Sequence, residues 1–118
     1  MSENDDSTLA GYFRVHDRPP AYEGSDGHPY TVSVETEKTG DLRAPWIGYL
    51  VFPRWAQNGV GIVGHVETDD LVRSATQDEA QARLGEMTLH EVHARLEAAI
   101  ERSTTTEESV IAGEPADG

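Results

Sequence analysis

The chain contains no cysteine and a single lysine, Lys38, set against eight arginines and twenty-two carboxylates in 118 residues. Without cysteine there is no disulfide framework, no thiolate nucleophile and no Cys-ligated zinc. With so few cations the net charge is −13. A surface of that sign repels phosphate backbones and anionic lipid, because binding to either normally rests on a Lys/Arg patch that releases counterions. Nucleic-acid and membrane partners are therefore disfavoured. Long apolar runs are missing too: none approaches the ~18 to 20 residues of a membrane span. The amino terminus, SENDDST, has neither a positive region nor an apolar one of the kind a secretory signal needs, so a soluble cytoplasmic protein is expected.

The length suits one small domain with a modest core. Residues 1–8 and 103–118 are acidic, rich in Ser and Thr, and lack an apolar period. They read as disordered tails flanking a single domain over 9–102. Seven acids lie in those tails, and thirteen less seven leaves −6 for the middle. Acidic excess with almost no lysine keeps a chain hydrated in a very salty cytoplasm, so halophilic adaptation accounts for the charge without invoking a function.

Within the domain, Gly11–Asp17 alternates Phe13 and Val15 with Tyr12, Arg14 and His16, which predicts a first strand ended by Pro19 and Pro20. Ala21–Pro29 is turn chemistry throughout. Tyr30, Val32 and Val34 alternate with Thr31, Ser33 and Glu35, giving the clearest strand. Trp46–Pro53 is nearly all apolar, as in a central strand covered on both sides. Asn58-Gly59 turns the chain into a last strand over Val60–Thr68, with Ile62, Gly64 and Val66 expected toward the core. Thr76-Gln77-Asp78-Glu79 and Thr88-Leu89-His90-Glu91 are capping boxes, each opening a helix, with Gly85 placed to end the first. Leu89, Val92, Leu96 and Ile100 give the second helix an apolar stripe out to about Arg102. The predicted fold is α+β, a two-layer sandwich in which a four-stranded antiparallel meander is packed on one face by carboxyl-terminal helices.

His65 and Glu67 share one face of the last strand, and His16 would join them if its own segment were a strand. An imidazole beside a carboxylate can serve as an acid/base pair, and His16, His65 and Glu67 together could hold a divalent cation. The same residues are equally the ordinary occupants of a watered sheet face. His90, His93 and Glu97 share a helix flank, but their spacing is not the His-Glu-x-x-His of a zinc helix, which favours a boundary role. His28 sits in a Gly/Pro loop, and Asp69-Asp70 reads as a turn. No nucleophile elbow or phosphate loop is present, and nothing calls for a cofactor. Aromatic mass gathers around the central strand. If its second face is uncovered, Ile47, Tyr49, Val51 and Trp55 form an apolar patch, which in a small domain points to a partner protein or a second copy of the chain.

From Tyr30 to about residue 100, the order of elements resembles the HicB-like antitoxin domain, a degraded double-stranded-RNA-binding-type β-β-β-α unit. Tyr30–Glu35 is similar to its first strand and Thr76-Gln77-Asp78-Glu79-Ala80 to the start of its helix. The resemblance implies a non-catalytic, protein-binding role and assigns no functional residue. The leading expectation is thus a protein-protein interaction module, antitoxin-like or self-associating. The alternative is a small metal- or acid/base-dependent enzyme built on His65 and Glu67. The charge reading has its own check. If the acids are a salt adaptation, resistance to urea rises between low and molar salt as their repulsion is screened; equal stability at both removes the idea.

Overall fold

A computed structural model describes the main chain of residues 6–113 and the side chains of residues 6–103. Its elements in order are α1 (Leu9–His16), β1 (Ala21–Glu23), β2 (Pro29–Thr31), β3 (Ser33–Lys38), β4 (Trp46–Trp55), β5 (Ile62–Glu67), β6 (Val72–Ser74), α2 (Gln77–Gly85) and α3 (Leu89–Gly113). All six strands form one antiparallel sheet around β4. Strands β2 and β3, one run broken at Val32, line one side of β4; β5 and β6 line the other. The fold is α+β with helices packed on an open sheet.

The core sits where the period-two residues of the sheet meet the stripes of the helices. Tyr30, Val32, Leu50, Phe52, Val66 and Val72 all point to one side. There they meet Ala80 and Leu84 of α2 and Val92, Leu96, Ala99 and Ile100 of α3. Each fully buried Leu, Val or Phe contributes roughly 1.5–3 kcal/mol, so this layer supplies most of the apolar drive. Both helices start where the caps predict. The Thr76 hydroxyl accepts from the Glu79 amide at 3.1 Å. At Thr88 the exchange is reciprocal, 3.1 Å from the Glu91 amide to the hydroxyl and 2.9 Å from the Thr88 amide to the Glu91 carboxylate.

Several expectations are corrected. Gly11–Asp17 is not a strand but most of α1: Thr8 caps it by accepting from the Gly11 amide at 3.1 Å, and Asp17 ends it at φ 56°. The alternation misled because Phe13 and Val15 are exposed, while Leu9 and Gly11 are the buried positions. Gly85 does not end α2 in the left-handed region; it stays helical, and its missing side chain makes room for α1, since a Cβ there would lie 2.9 Å from the Cβ of Ala10. Ile62 does not face the core. A bulge at Arg54/Trp55 sets it opposite Trp55, and it is left exposed. The central strand is not covered on both sides, since the core lies on one face of β4 only. The meander stands as expected, with β2 and β3 together forming the expected Tyr30–Glu35 strand beside β4 and β5; β6 is an addition three residues long, and so is β1, which lies inside the Ala21–Pro29 segment expected to be turn throughout and pairs with β2.

The ordered chain also reaches into the segments expected as tails. The Leu89 amide donates to the Ser7 carbonyl at 2.9 Å, and α3 continues to Gly113. Residues 1–5 and 114–118, also assigned to the tails, lie outside the described residues. Because the sheet and α3 share one core, Leu96→Ala is expected to cost about 2–5 kcal/mol in urea unfolding. Val63→Ser, on the exposed bulge, is expected to stay within about 0.5 kcal/mol.

Candidate functional site: the open sheet face

Period two places Ile47, Tyr49, Val51, Pro53 and Trp55 of β4 on the side away from the helices. The register sets their neighbours. Tyr49 lies opposite Glu35 and Ile47 opposite Glu37; Val51 sits between Ser33 and Glu67, and Pro53 faces His65. Ile47 is 7% exposed, closed in by its neighbours, while Tyr49, Val51, Pro53 and Trp55 are half-buried. An apolar line thus runs along β4, bordered by carboxylates on both flanking strands.

The polar groups of this face are tied to each other. Tyr49 Oη donates to Glu37 Oε2 at 2.7 Å, and Ser33 Oγ to Glu35 Oε2 at 2.5 Å. Trp55 Nε1 donates to Thr31 Oγ1 at 3.1 Å, which lays the indole across β2. The hydrogen bond to Glu37 pushes the Tyr49 phenol up to about 12, helped by burial and by the charges of Glu37, Glu67 and Glu35. Three carboxylates therefore act on one phenol.

His65 and Glu67 do share this face, at 3.5 Å between Nε2 and Oε2, both more than half exposed. His16 is not with them. It belongs to α1, where it meets Asp6 at 3.0 Å and packs on Tyr12. Among the described residues no group of three or more His, Asp or Glu side chains is arranged to hold a metal ion. His93 stacks on Tyr22 at 5.1 Å and lies 3.5 Å from Glu97, whose carboxylate accepts from the Ser25 amide at 3.1 Å. Together His93 and Glu97 fasten the β1 strand and the loop after it to α3. His90 is exposed. Asp69, in the β5–β6 turn, pairs with Arg102 at 3.0 Å.

One cluster escaped the sequence reading. Tyr30 Oη donates to Asp26 Oδ2 at 2.6 Å, Arg54 Nε donates to the same phenol oxygen at 2.7 Å, and Arg54 lies 3.4 Å from Asp26. Burial pushes the Asp26 carboxyl up, but Tyr30, the His28 amide and Arg54 outweigh it and hold the group below its ordinary value. His28, which the sequence leaves without a partner, bonds the Trp55 carbonyl at 2.9 Å. These contacts close the 24–28 loop over the end of β4. Only the Gly-rich turn signal hinted at them.

Tyr49 offers a direct readout of the face. Its titration should centre near 12, and Glu37→Gln should bring it back toward the ordinary 10.0, as followed by ultraviolet absorbance or ring NMR shifts. Since the folded value is the raised one, the stabilisation from this bond is complete below about pH 10 and lost as pH climbs through about 12. A wild-type value of 10 contradicts the geometry.

Among the described residues no helix is long and apolar enough to cross a membrane. No protein-family model, curated protein or solved structure matches the chain.

Proposed function

We propose that this chain is a non-catalytic protein-protein interaction module that meets its partner through the open sheet face. The observation that carries the reading is the line Ile47, Tyr49, Val51, Pro53 and Trp55, set on the side of β4 opposite the core. An apolar stripe rimmed by charge is the usual anatomy of an interface, in which aromatic residues supply contact area and the rim supplies specificity. A different protein suits the face better than a second copy. Stacking two such faces brings Glu35, Glu37 and Glu67 against their own counterparts, and like charges across an interface are costly. The HicB-like resemblance is one form of the same proposal, with a toxin protein as the partner. A cytoplasmic location accords with it.

The second reading, a small metal- or acid/base-dependent enzyme, has the 3.5 Å His65–Glu67 pair in its favour. Its weakness is exposure: both side chains stand more than half in water, which leaves a reacting atom beside them unshielded. Loss of divalent-ion affinity on His65→Ala would revive it.

The interaction reading is tested by purifying the tagged chain from its own cells. A stoichiometric protein should accompany the wild type, fall at least tenfold with Tyr49→Ala or Val51→Asp, and persist with Glu101→Gln on the exposed side of α3. Far-ultraviolet circular dichroism checks that each variant is folded. A partner retained equally by the face variants, or no partner, overturns the proposal.

A further inference from the structure

We infer that the outer edge of β3 accepts an extended partner segment as an added strand, its side chains alternating apolar and cationic. The inference rests on the interaction-module reading and names how the partner docks.

The first support is main-chain direction. The Thr68 amide donates to the Leu50 carbonyl and the Leu71 amide to the Gly48 carbonyl, at 2.9 and 2.8 Å, so Gly48 and Leu50 direct their main-chain groups toward the β5/β6 side. The alternate residues Ile47, Tyr49 and Val51 therefore face β3, opposite Glu37, Glu35 and Ser33. It follows that the amides and carbonyls of Val34 and Thr36 point outward. Strand β1 fills the outer lane only beside β2, where Ala21 pairs with Thr31. It cannot continue along β3, because Pro19 and Pro20 come next and neither has an N–H. Among the described residues no strand pairs with β3 on that side, and Gln77 reaches only the Thr36 hydroxyl.

The second support is shape. An open groove of about 790 Å³ runs along this edge, lined by Leu9 and Phe13 of α1, by Val32 and Val34, and by Pro53. Phe13 is 51% exposed, a large apolar ring that the chain's own core does not use. Side chains of an added strand that fall level with Val34 would enter this groove.

The third is charge, and it selects the occupant. Residues directly opposite in a sheet share a face, so positions beside Glu35 and Glu37 meet two exposed carboxylates. Lysine or arginine there is favoured. A second copy added across the edge, with its helices on the same side, brings Glu35 and Glu37 against the same strand's Ser33, Glu35 and Glu37, a like-charge pairing that opposes self-association.

The probe is a blocked peptide of alternating Val and Lys, about eight residues long to cover the edge at about 3.4 Å per residue. It is added to the full chain while amide exchange is followed by NMR. Expected are at least tenfold slower exchange at Val34 and Thr36, and at least tenfold weaker binding after Glu35→Lys with Glu37→Lys, which should now prefer a Val/Glu peptide. Thr36→Pro, which removes an outward N–H and leaves the bonds to β4, should abolish binding. Absent binding, equal binding of a peptide with its four lysines in one block, or binding without protection of those two amides overturns the inference. Protection that grows with protein concentration alone assigns the edge to a second copy and also overturns it. If the edge fails while Tyr49→Ala still loses the cellular partner, the interaction reading stands alone. If the edge binds as expected and the face variants lose nothing, the open face is the part that falls.

Discussion

The fold depends on sealing one face of a small sheet with two helices. Leu50 and Phe52 at the centre of β4 are wholly removed from water, as are Leu84, Val92 and Leu96 opposite them. The sheet would not persist with its apolar face open to water, because strands without a covered apolar face cannot offset the entropy of ordering them. The helices are in the same position: α2, at nine residues, is too short to persist alone in water. Each layer therefore exists because the other covers it.

Secondary fastenings keep the ends of this sandwich closed. The Tyr30–Asp26–Arg54 cluster ties a loop to the end of β4, and Tyr22 against His93 ties β1 to α3. Arg102 reaches the Glu67 carbonyl and Asp69, holding α3 on the β5–β6 turn. Gly24 lets the 24–28 loop approach, since a Cβ there would lie 2.5 Å from the Tyr30 ring and 2.9 Å from Ile100. Polar groups drawn in by these contacts are satisfied: no buried side-chain nitrogen or oxygen among the described residues lacks a hydrogen-bond partner. The cost of burying them is thereby avoided.

With α2 and α3 spent on one face, the other face and the β3 edge are left open. The carboxylates there fit both roles considered. On the proposed reading they would oppose the joining of copies of the chain through the apolar stripe or the β3 edge, as charged edges do, and would favour a cationic partner at both. Composition and the proposed function meet at this point: the same excess of acid that disfavours nucleic acid would favour a basic protein surface.

Sequence alone determined the elements whose signals are local. The alternation at Tyr30–Val34, the apolar β4, both capping boxes and the Val92–Leu96–Ile100 stripe are each set by neighbours within a few residues, and each lies where its pattern places it. The position of His65 and Glu67 on one open face was legible for the same reason. Tertiary structure decided whatever depends on residues far apart in the chain. The helix that includes Gly11–His16 is docked where Ser7–Thr8 joins Thr88–Leu89, some eighty residues away, and where Gly85 lies against Ala10. The Asp26–Arg54 contact and, among the described residues, the unpaired outer edge of β3 are likewise products of strand order. Periodicity reports which way a side chain points relative to its own element; which surface it then meets is fixed only when the layers pack.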